Sequence, residues 1–460
     1  MASGLFILLQ IYLLFVSFSS SALGLQKFHI VDVHALTSRN VCSGPKDVER
    51  HRSVKSRLKI VDRHGPCSIL PSVEKLSLEQ ILSTDQSRVD AIHRRTSAVS
   101  GKDKTSGPLT TSQITAQYGG SYGVGNYIIS VGIGTPSKTL TLVFDTGSDI
   151  TWVQCEPCQK HCYMQQDPIF DPSQSSTFAN VSCNSTQCTD ISFGCSGSSC
   201  LYGVKYGDGS FTVGYYAEDT LTLTPDVIQN FRFGCGQNNS GTFGEIAGLL
   251  GLSPSSESFV SQTSEKYQRV FAYCLPALSS STGYLNFGSS SNMPNTNRTP
   301  IPQHSDPPYY YITMTGLTVA DQPLQITSTV FSNAGMIIDS GTVITRLPPD
   351  AYQALRSAFG QHMTKYKMAP STTLLDTCYD FTGYDNVTIP SVSVQFLNNV
   401  SLDLDPNGIF YVFDISQVCL AFAGNTDPRD LGIYGNVQQR TFNVIYDVPN
   451  GEIGFSPEAC

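Results

Sequence analysis

From about residue 120 to the end, apolar positions come in short bursts. Runs rich in Val, Ile, Thr, Tyr and Phe are broken by Gly, Ser, Asn and Pro, the pattern of strands and turns. Leu140–Phe144, Ala247–Leu252 and Ile433-Tyr434-Gly435 read as buried strands, two of them pinched by Gly. Tyr202–Leu223 reads as a hairpin turning at Tyr206-Gly207-Asp208-Gly209-Ser210, because Asp-Gly accepts the positive φ of a tight turn. Helical spacing is confined to three places: patches around Val73–Val89, a segment capped near Ser256 that carries Phe259, Val260 and Tyr267, and Asp350–Tyr366. In the last, Ala351, Leu355, Phe359 and Met363 recur at four-residue steps. The expected fold class is mostly β. At 460 residues the chain is long enough for two or three units.

The first residues follow another pattern. An apolar run from Leu5 to Val16 precedes mostly small residues, Ser17 to Ala22. This predicts a secretory signal over residues 1–24. The run is shorter than the roughly 20 apolar residues of a spanning helix, so no membrane anchor is expected. The first basic side chain is Lys27, which argues against an Arg-rich transit peptide.

Charge divides the remainder. Residues 25–110 hold 15 Lys and Arg against 9 Asp and Glu; the rest of the chain holds 13 against 28, which the overall net charge of −9 conceals. A basic segment before an acidic body is either a nucleic-acid arm or a pro-segment docked by charge. For a secreted chain the pro-segment is the expected reading, spanning 25–115 and ending in a polar, cleavable linker at Ser97–Ser112. Acid would weaken such docking by protonating carboxylates. The acidic body repels phosphate, so nucleic-acid binding is not expected once the segment is removed.

Fourteen cysteines, twelve of them from Cys155 onward, fit disulfides in an oxidising compartment. Cys155, Cys158 and Cys162 flank His161, a spacing conceivable for zinc. No second Cys-x-x-Cys follows, so disulfides are the better account and no metal or other cofactor is expected. Six Asn-x-Ser/Thr sequons, at Asn180, Asn184, Asn238, Asn297, Asn386 and Asn399, agree with secretion. Gly132-Ile133-Gly134-Thr135-Pro136 lacks the third Gly, the Lys and the following helix of a nucleotide loop.

The chemistry sits in a repeated phrase. Val143-Phe144-Asp145-Thr146-Gly147-Ser148 returns as Ile337-Ile338-Asp339-Ser340-Gly341-Thr342, and each is followed about a hundred residues later by an apolar Gly strand. A domain-scale duplication brings two Asp turns together across a pseudo-twofold axis. Two carboxylates in contact cannot both stay ionised; one takes a proton from water and the other polarises a carbonyl. The hydroxyls of Thr146 and Ser340 and the N–H groups of Gly147 and Gly341 are expected to hold the carboxylates, with Ser148 and Thr342 reaching their outer oxygens. Competing nucleophiles lack support: there is no Gly-x-Ser-x-Gly, and only His161, His304 and His362 remain after residue 110. A two-carboxylate glycosidase offers no reason for a duplicated Asp-x-Gly turn.

These two phrases resemble the paired signatures of pepsin-like aspartic proteases. The cysteine-rich insertion resembles the plant nepenthesin-like branch. Lys59-Ile60-Val61-Asp62-Arg63-His64-Gly65-Pro66-Cys67 and Asn436-Val437-Gln438-Gln439-Arg440 resemble the plant group with extracellular aspartic proteases and a chloroplast-nucleoid DNA-binding protease. The resemblance implies a bilobal β fold, lobes at 116–300 and 301–460, and peptide-bond hydrolysis in acid. It implies Asp145 and Asp339 as the dyad, Tyr206, Gly207 and Asp208 as the flap over a peptide or protein substrate, and Trp152 as the hydrogen-bond donor to Tyr206. Cys378–Cys419 is the one disulfide pairing expected. The pro-segment is expected to inhibit its own chain, and the enzyme to be a monomer secreted to the apoplast or cell wall; vacuole or chloroplast is the alternative. The alternatives are a DNA-binding plastid-nucleoid protease and a catalytically silent binding or inhibitor protein of the same fold, although silent relatives usually damage one Asp motif and both stand here.

Overall fold

A computed structural model describes residues 27–37, 42, 56–70, 77–99, 127–191, 194–288, 295–302, 308–333 and 335–457. The signal segment lies outside these residues, and so does most of the polar linker. Strands dominate, as the apolar bursts require. A single 15-stranded sheet runs through both halves of the chain, because Val270–Cys274 pairs with Phe442–Asp447. Phe271 stacks on Tyr446 with ring centroids 4.4 Å apart, and Tyr310 meets the same ring edge-on at 4.5 Å. The junction between halves is thus aromatic core.

The internal duplication is visible in the strand pairing. Lys138–Asp145 pairs in parallel with Gly248–Gly251, and Met336–Ile338 pairs in parallel with Gly432–Tyr434. Each glycine strand is also antiparallel to the strand beyond its Asp turn, Trp152–Gln154 in one half and Thr345–Leu347 in the other. Gly248 and Gly251 are glycine for a steric reason: a Cβ at Gly251 would come within 2.7 Å of the Asp149 carbonyl.

The hairpin is Ser199–Lys205 with Phe211–Leu223, and Gly209 takes the positive φ of +87° at its tip. Six disulfides lie among the described residues: Cys42–Cys67, Cys155–Cys235, Cys158–Cys162, Cys183–Cys195, Cys188–Cys200 and Cys378–Cys419. The last is the expected pair, and the three cysteines around His161 are engaged with sulfur.

Three elements differ from the sequence reading. The N-terminal helix spans Leu78–Val99, later than Val73–Val89. Its start is a reciprocal cap: Gln80 N–H donates to Ser77 Oγ at 3.2 Å, and Ser77 N–H donates to Gln80 Oε1 at 2.7 Å. The stretch capped near Ser256 is two single-turn helices, Phe259–Gln262 and Ser264–Tyr267, with Ser258 as cap; left-handed Gln268 ends the second. Residues 279–308, whose Ser, Asn and Pro content reads as a connection between the halves, contribute strands Thr282–Phe287 and Asn297–Pro300 to the large sheet.

The basic N-terminal segment is part of the fold. Phe28–Asp32 pairs with Asn386–Pro390, and Ser56–Asp62 lies inside the large sheet between Thr282–Phe287 and Tyr127–Ile133. Leu58 and Ile60 point inward while Arg57 and Lys59 stay exposed, the alternation of a half-buried strand.

Candidate active site

Hydrophobic strands carry both Asp residues to the bottom of the cleft. Asp145 is fully buried and Asp339 is 1% exposed. Backbone bonds fix each turn: Leu252 N–H donates to the Asp145 carbonyl at 2.8 Å, and Asp339 N–H donates to the Tyr434 carbonyl at 3.1 Å. The carboxylates are held alike. Gly147 N–H donates to Asp145 Oδ1 at 2.9 Å and Gly341 N–H to Asp339 Oδ1 at 3.1 Å. Ser148 Oγ donates to Asp145 Oδ2, and Thr342 Oγ1 donates to Asp339 Oδ2 at 2.6 Å. A Cβ on Gly147 would lie 2.9 Å from Asp339 Oδ1, and one on Gly341 2.5 Å from Asp145 Oδ1. Only glycine lets each turn approach the opposite carboxylate this closely.

Thr146 and Ser340 do something other than expected. Their hydroxyls touch no carboxylate. Thr146 N–H donates to Ser340 Oγ at 3.1 Å, and Ser340 N–H donates to Thr146 Oγ1 at 2.9 Å. The pair clamps one turn to the other across the pseudo-twofold. Asn436 and Gln439, in the resemblance motif near the C-terminus, brace the second turn by donating to the carbonyls of Ser340 at 3.0 Å and Asp339 at 3.2 Å.

The hairpin tip lies against the N-terminal helix. Trp152 Nε1 donates to the Tyr206 hydroxyl, and both rings are buried against Phe243. Burial pushes the Tyr206 phenol well above its ordinary pKa, so it remains a neutral hydrogen-bonding group. Asp208 orders the tip, accepting from Ser210 N–H at 2.9 Å and Ser210 Oγ at 2.8 Å. Gly207 packs on the N-terminal helix; a Cβ there would come within 2.6 Å of Ala91 Cβ.

That helix fills the cleft, and its side chains are the ones sequence reasoning did not single out. Arg88 inserts between the carboxylates. Its Nη1 and Nη2 donate to Asp145 Oδ2 and Oδ1 at 2.9 and 2.8 Å; its Nε and Nη2 donate to Asp339 Oδ2 and Oδ1, both at 2.9 Å. Burial alone would lower the pKa of Arg88, but the two carboxylates outweigh it and the guanidinium stays charged. Asp339 is raised, by burial first and then by Asp145, against the opposing pull of Arg88. Charge contacts flank this centre. Asp85 pairs with Arg346 at 3.0 Å, and Arg95 pairs with Asp149 at 3.1 Å. Ile81 and Leu82 pack with Val343 and Ile344, and Val89 and Ile92 pack with Ile337 and Ile433. The charge asymmetry announces a docked segment; which residues meet requires the helix register.

No cluster of His, Cys, Asp or Glu that could hold a metal occurs among the described residues, and none of the described helices is long and apolar enough to cross a membrane.

Comparison with known proteins gives the family. Residues 127–289 match the family described as xylanase inhibitor N-terminal, and residues 309–457 the family described as xylanase inhibitor C-terminal. An Arabidopsis thaliana aspartyl protease family protein is 48% identical over 421 residues, covering 89% of each chain. Aspartic proteinase nepenthesin-2 of Nepenthes gracilis is 38% identical over 351 residues, covering 74% of this chain and 78% of that one. Among solved structures, basic 7S globulin from soybean aligns with a TM-score of 0.57 at 20% identity over 72% of this chain and 91% of that chain, a likeness of fold. The chain belongs to the plant pepsin-like aspartic proteases.

Proposed function

We propose that the protein is an acid endopeptidase made as a secreted zymogen, with Asp145 and Asp339 as its catalytic pair. The observation that carries the reading is the matched support of two facing, buried carboxylates, each with a backbone N–H on one oxygen and a hydroxyl on the other. Once the cleft is open, the pair shares one proton. The ionised member takes a proton from a water, which attacks the peptide carbonyl. The protonated member donates to the carbonyl oxygen. The tetrahedral intermediate then collapses, the C–N bond breaks, and the nitrogen leaves with a proton from the dyad. No covalent enzyme intermediate is needed. Tyr206, held by Trp152, closes over the substrate chain.

Arg88 occupies the space that the water and scissile bond need, so the unprocessed chain is inactive and the segment before the body is its own inhibitor. Five of the six sequons (Asn180, Asn184, Asn297, Asn386 and Asn399) are exposed, which suits a glycosylated, secreted protein. The rival, a silent binding protein, is suggested by the inhibitor name of the matching family; intact support at both turns favours catalysis. Asp145→Asn or Asp339→Asn should abolish proteolysis at about pH 4 and binding of a pepstatin-type inhibitor while leaving the fold intact. Undiminished cleavage by either variant would sink the assignment.

A further inference from the structure

Asp85 is held as a ligand rather than as a surface charge. One carboxylate oxygen accepts from Val343 N–H at 2.6 Å; the other accepts from Ile344 N–H at 3.3 Å and from Arg346 Nη2 at 3.0 Å. Two consecutive backbone N–H groups and a guanidinium form an anion cradle. The cradle belongs to the body and begins at the residue after Thr342, which itself bonds Asp339. Both charged side chains are buried, with Asp85 4% and Arg346 1% exposed.

Arg346 is aimed by the residue just before its own strand: Nη1 donates to the Ile344 carbonyl at 2.7 Å. Its Nε is buried with no hydrogen-bond partner. Nη2 reaches only helix groups, Asp85 and Gln86 Oε1, the latter at 3.2 Å. Burial pulls the guanidinium below its ordinary pKa, and the carboxylates that oppose this, Asp85 and then Asp90, are both on the helix. Among the described residues, Asp85 is the only carboxylate within ion-pair distance of Arg346. Departure of the helix therefore leaves the Arg346 guanidinium and two N–H donors facing the open cleft without the carboxylate that now pairs them.

We propose that the cradle of Val343 N–H, Ile344 N–H and Arg346 is a substrate subsite for an acidic side chain, which the pro-segment's Asp85 occupies by mimicry. This rests on the endopeptidase reading. Asp85 precedes Arg88 by three residues, about 4.5 Å along a helix, which corresponds to one or two residues of extended chain. The favoured Asp or Glu stands one or two residues from the cleaved bond. Arg346 determines specificity; it takes no part in the proton transfers.

The test uses the full-length chain after acid activation and a peptide series that differs only by Asp or Asn, stepped through each position around one cleavable bond. Assays run where the peptide carboxylate is ionised. Asp should be favoured in kcat/KM by about tenfold to a hundredfold at one position within two residues of the bond, the discrimination of a charged hydrogen bond. In Arg346→Gln the ratio at that position should fall to near one. Equal cleavage of Asp and Asn peptides at every position by the wild-type enzyme overturns the subsite while leaving the protease reading in place. A preference that persists in Arg346→Gln overturns the role of Arg346. If no peptide is cleaved, the protease reading fails. The cradle is then judged by binding of a synthetic Leu78–Val99 peptide to the chain cut in the Ser97–Ser112 linker by an added protease and freed of its N-terminal segment: at least tenfold weaker binding with Asp85→Asn supports it, and equal binding refutes it. Neither wild-type measurement depends on whether Arg346→Gln folds.

Discussion

At the residue scale the centre of the molecule is one guanidinium between two carboxylates. Removing one partner of a buried ion pair typically costs about 3–5 kcal/mol, because the other charge is left uncompensated. Arg88→Gln should therefore loosen the docked helix and shorten the lag before activity on acidification. Arg88→Lys should retain part of the inhibition through its charge but lose the forked geometry. A progress curve from the unprocessed chain separates the two; an unchanged lag in Arg88→Gln would show that Arg88 does not hold the latch. Trp152→Phe keeps the buried ring and removes the N–H that meets Tyr206. That hydrogen bond is worth about 1 kcal/mol, so kcat should fall by up to about fivefold, with the buried ring still filling its place in the core. The two Asp-x-Gly turns were legible in sequence because the phrase is local and repeated, whereas the pairing of Trp152 with Tyr206 was expected only from the family resemblance. The roles of Thr146 and Ser340 were not legible. A hydroxyl beside an Asp looks like its ligand, and only the opposing turn reveals that the hydroxyl answers the other chain segment.

At the element scale two N-terminal pieces matter. The Leu78–Val99 helix starts at the Ser77–Gln80 capping box, and its periodic face carries Ile81, Leu82, Val89 and Ile92 onto the second half. Weak periodicity placed the expected helix at Val73–Val89; the cap that sets its start was not part of that reading. The Ser56–Asp62 strand shows the opposite case. Arg57-Leu58-Lys59-Ile60 alternates plainly, but nothing local says that it enters a sheet between Thr282–Phe287 and Tyr127–Ile133. Strand partners are chosen over long sequence distances, by register and burial. Ile60 is fully buried, so Ile60→Ala should destabilise the unprocessed chain by about 2–4 kcal/mol. After processing the substitution is gone with the segment, and melting temperatures of the two mature forms should coincide. A difference between the mature forms would mean that the strand is retained.

At the scale of the whole molecule, the basic segment and the acidic body meet in a buried charge contact. The sign of its pH dependence follows from Asp339. Arg88 draws the carboxylate pKa down relative to the same dyad without it, so the docked state binds fewer protons than the open one. By linkage, docking strengthens as pH rises and weakens as pH falls through the carboxylate range. Amides of the Leu78–Val99 helix should be well protected from hydrogen exchange near neutral pH and lose protection at about pH 3; protection that persists in acid would refute the switch. Mass mapping of the active form should find a new N-terminus between about Ser100 and Gly120, beyond the helix and within the polar, cleavable stretch.

By itself the sequence determined what is periodic, local or duplicated: strand-rich halves, two Asp turns, a glycine hairpin, cysteines in number for disulfides, and a charge split near residue 110. Each is written in neighbouring residues, where propensity, turn chemistry and composition act directly. The tertiary structure alone decided which charges face each other. Arg88 lies 57 residues from Asp145 and 251 from Asp339, and Asp85 lies 261 from Arg346. No local preference encodes those meetings; they arise when burial fixes a helix register against a cleft built from both halves.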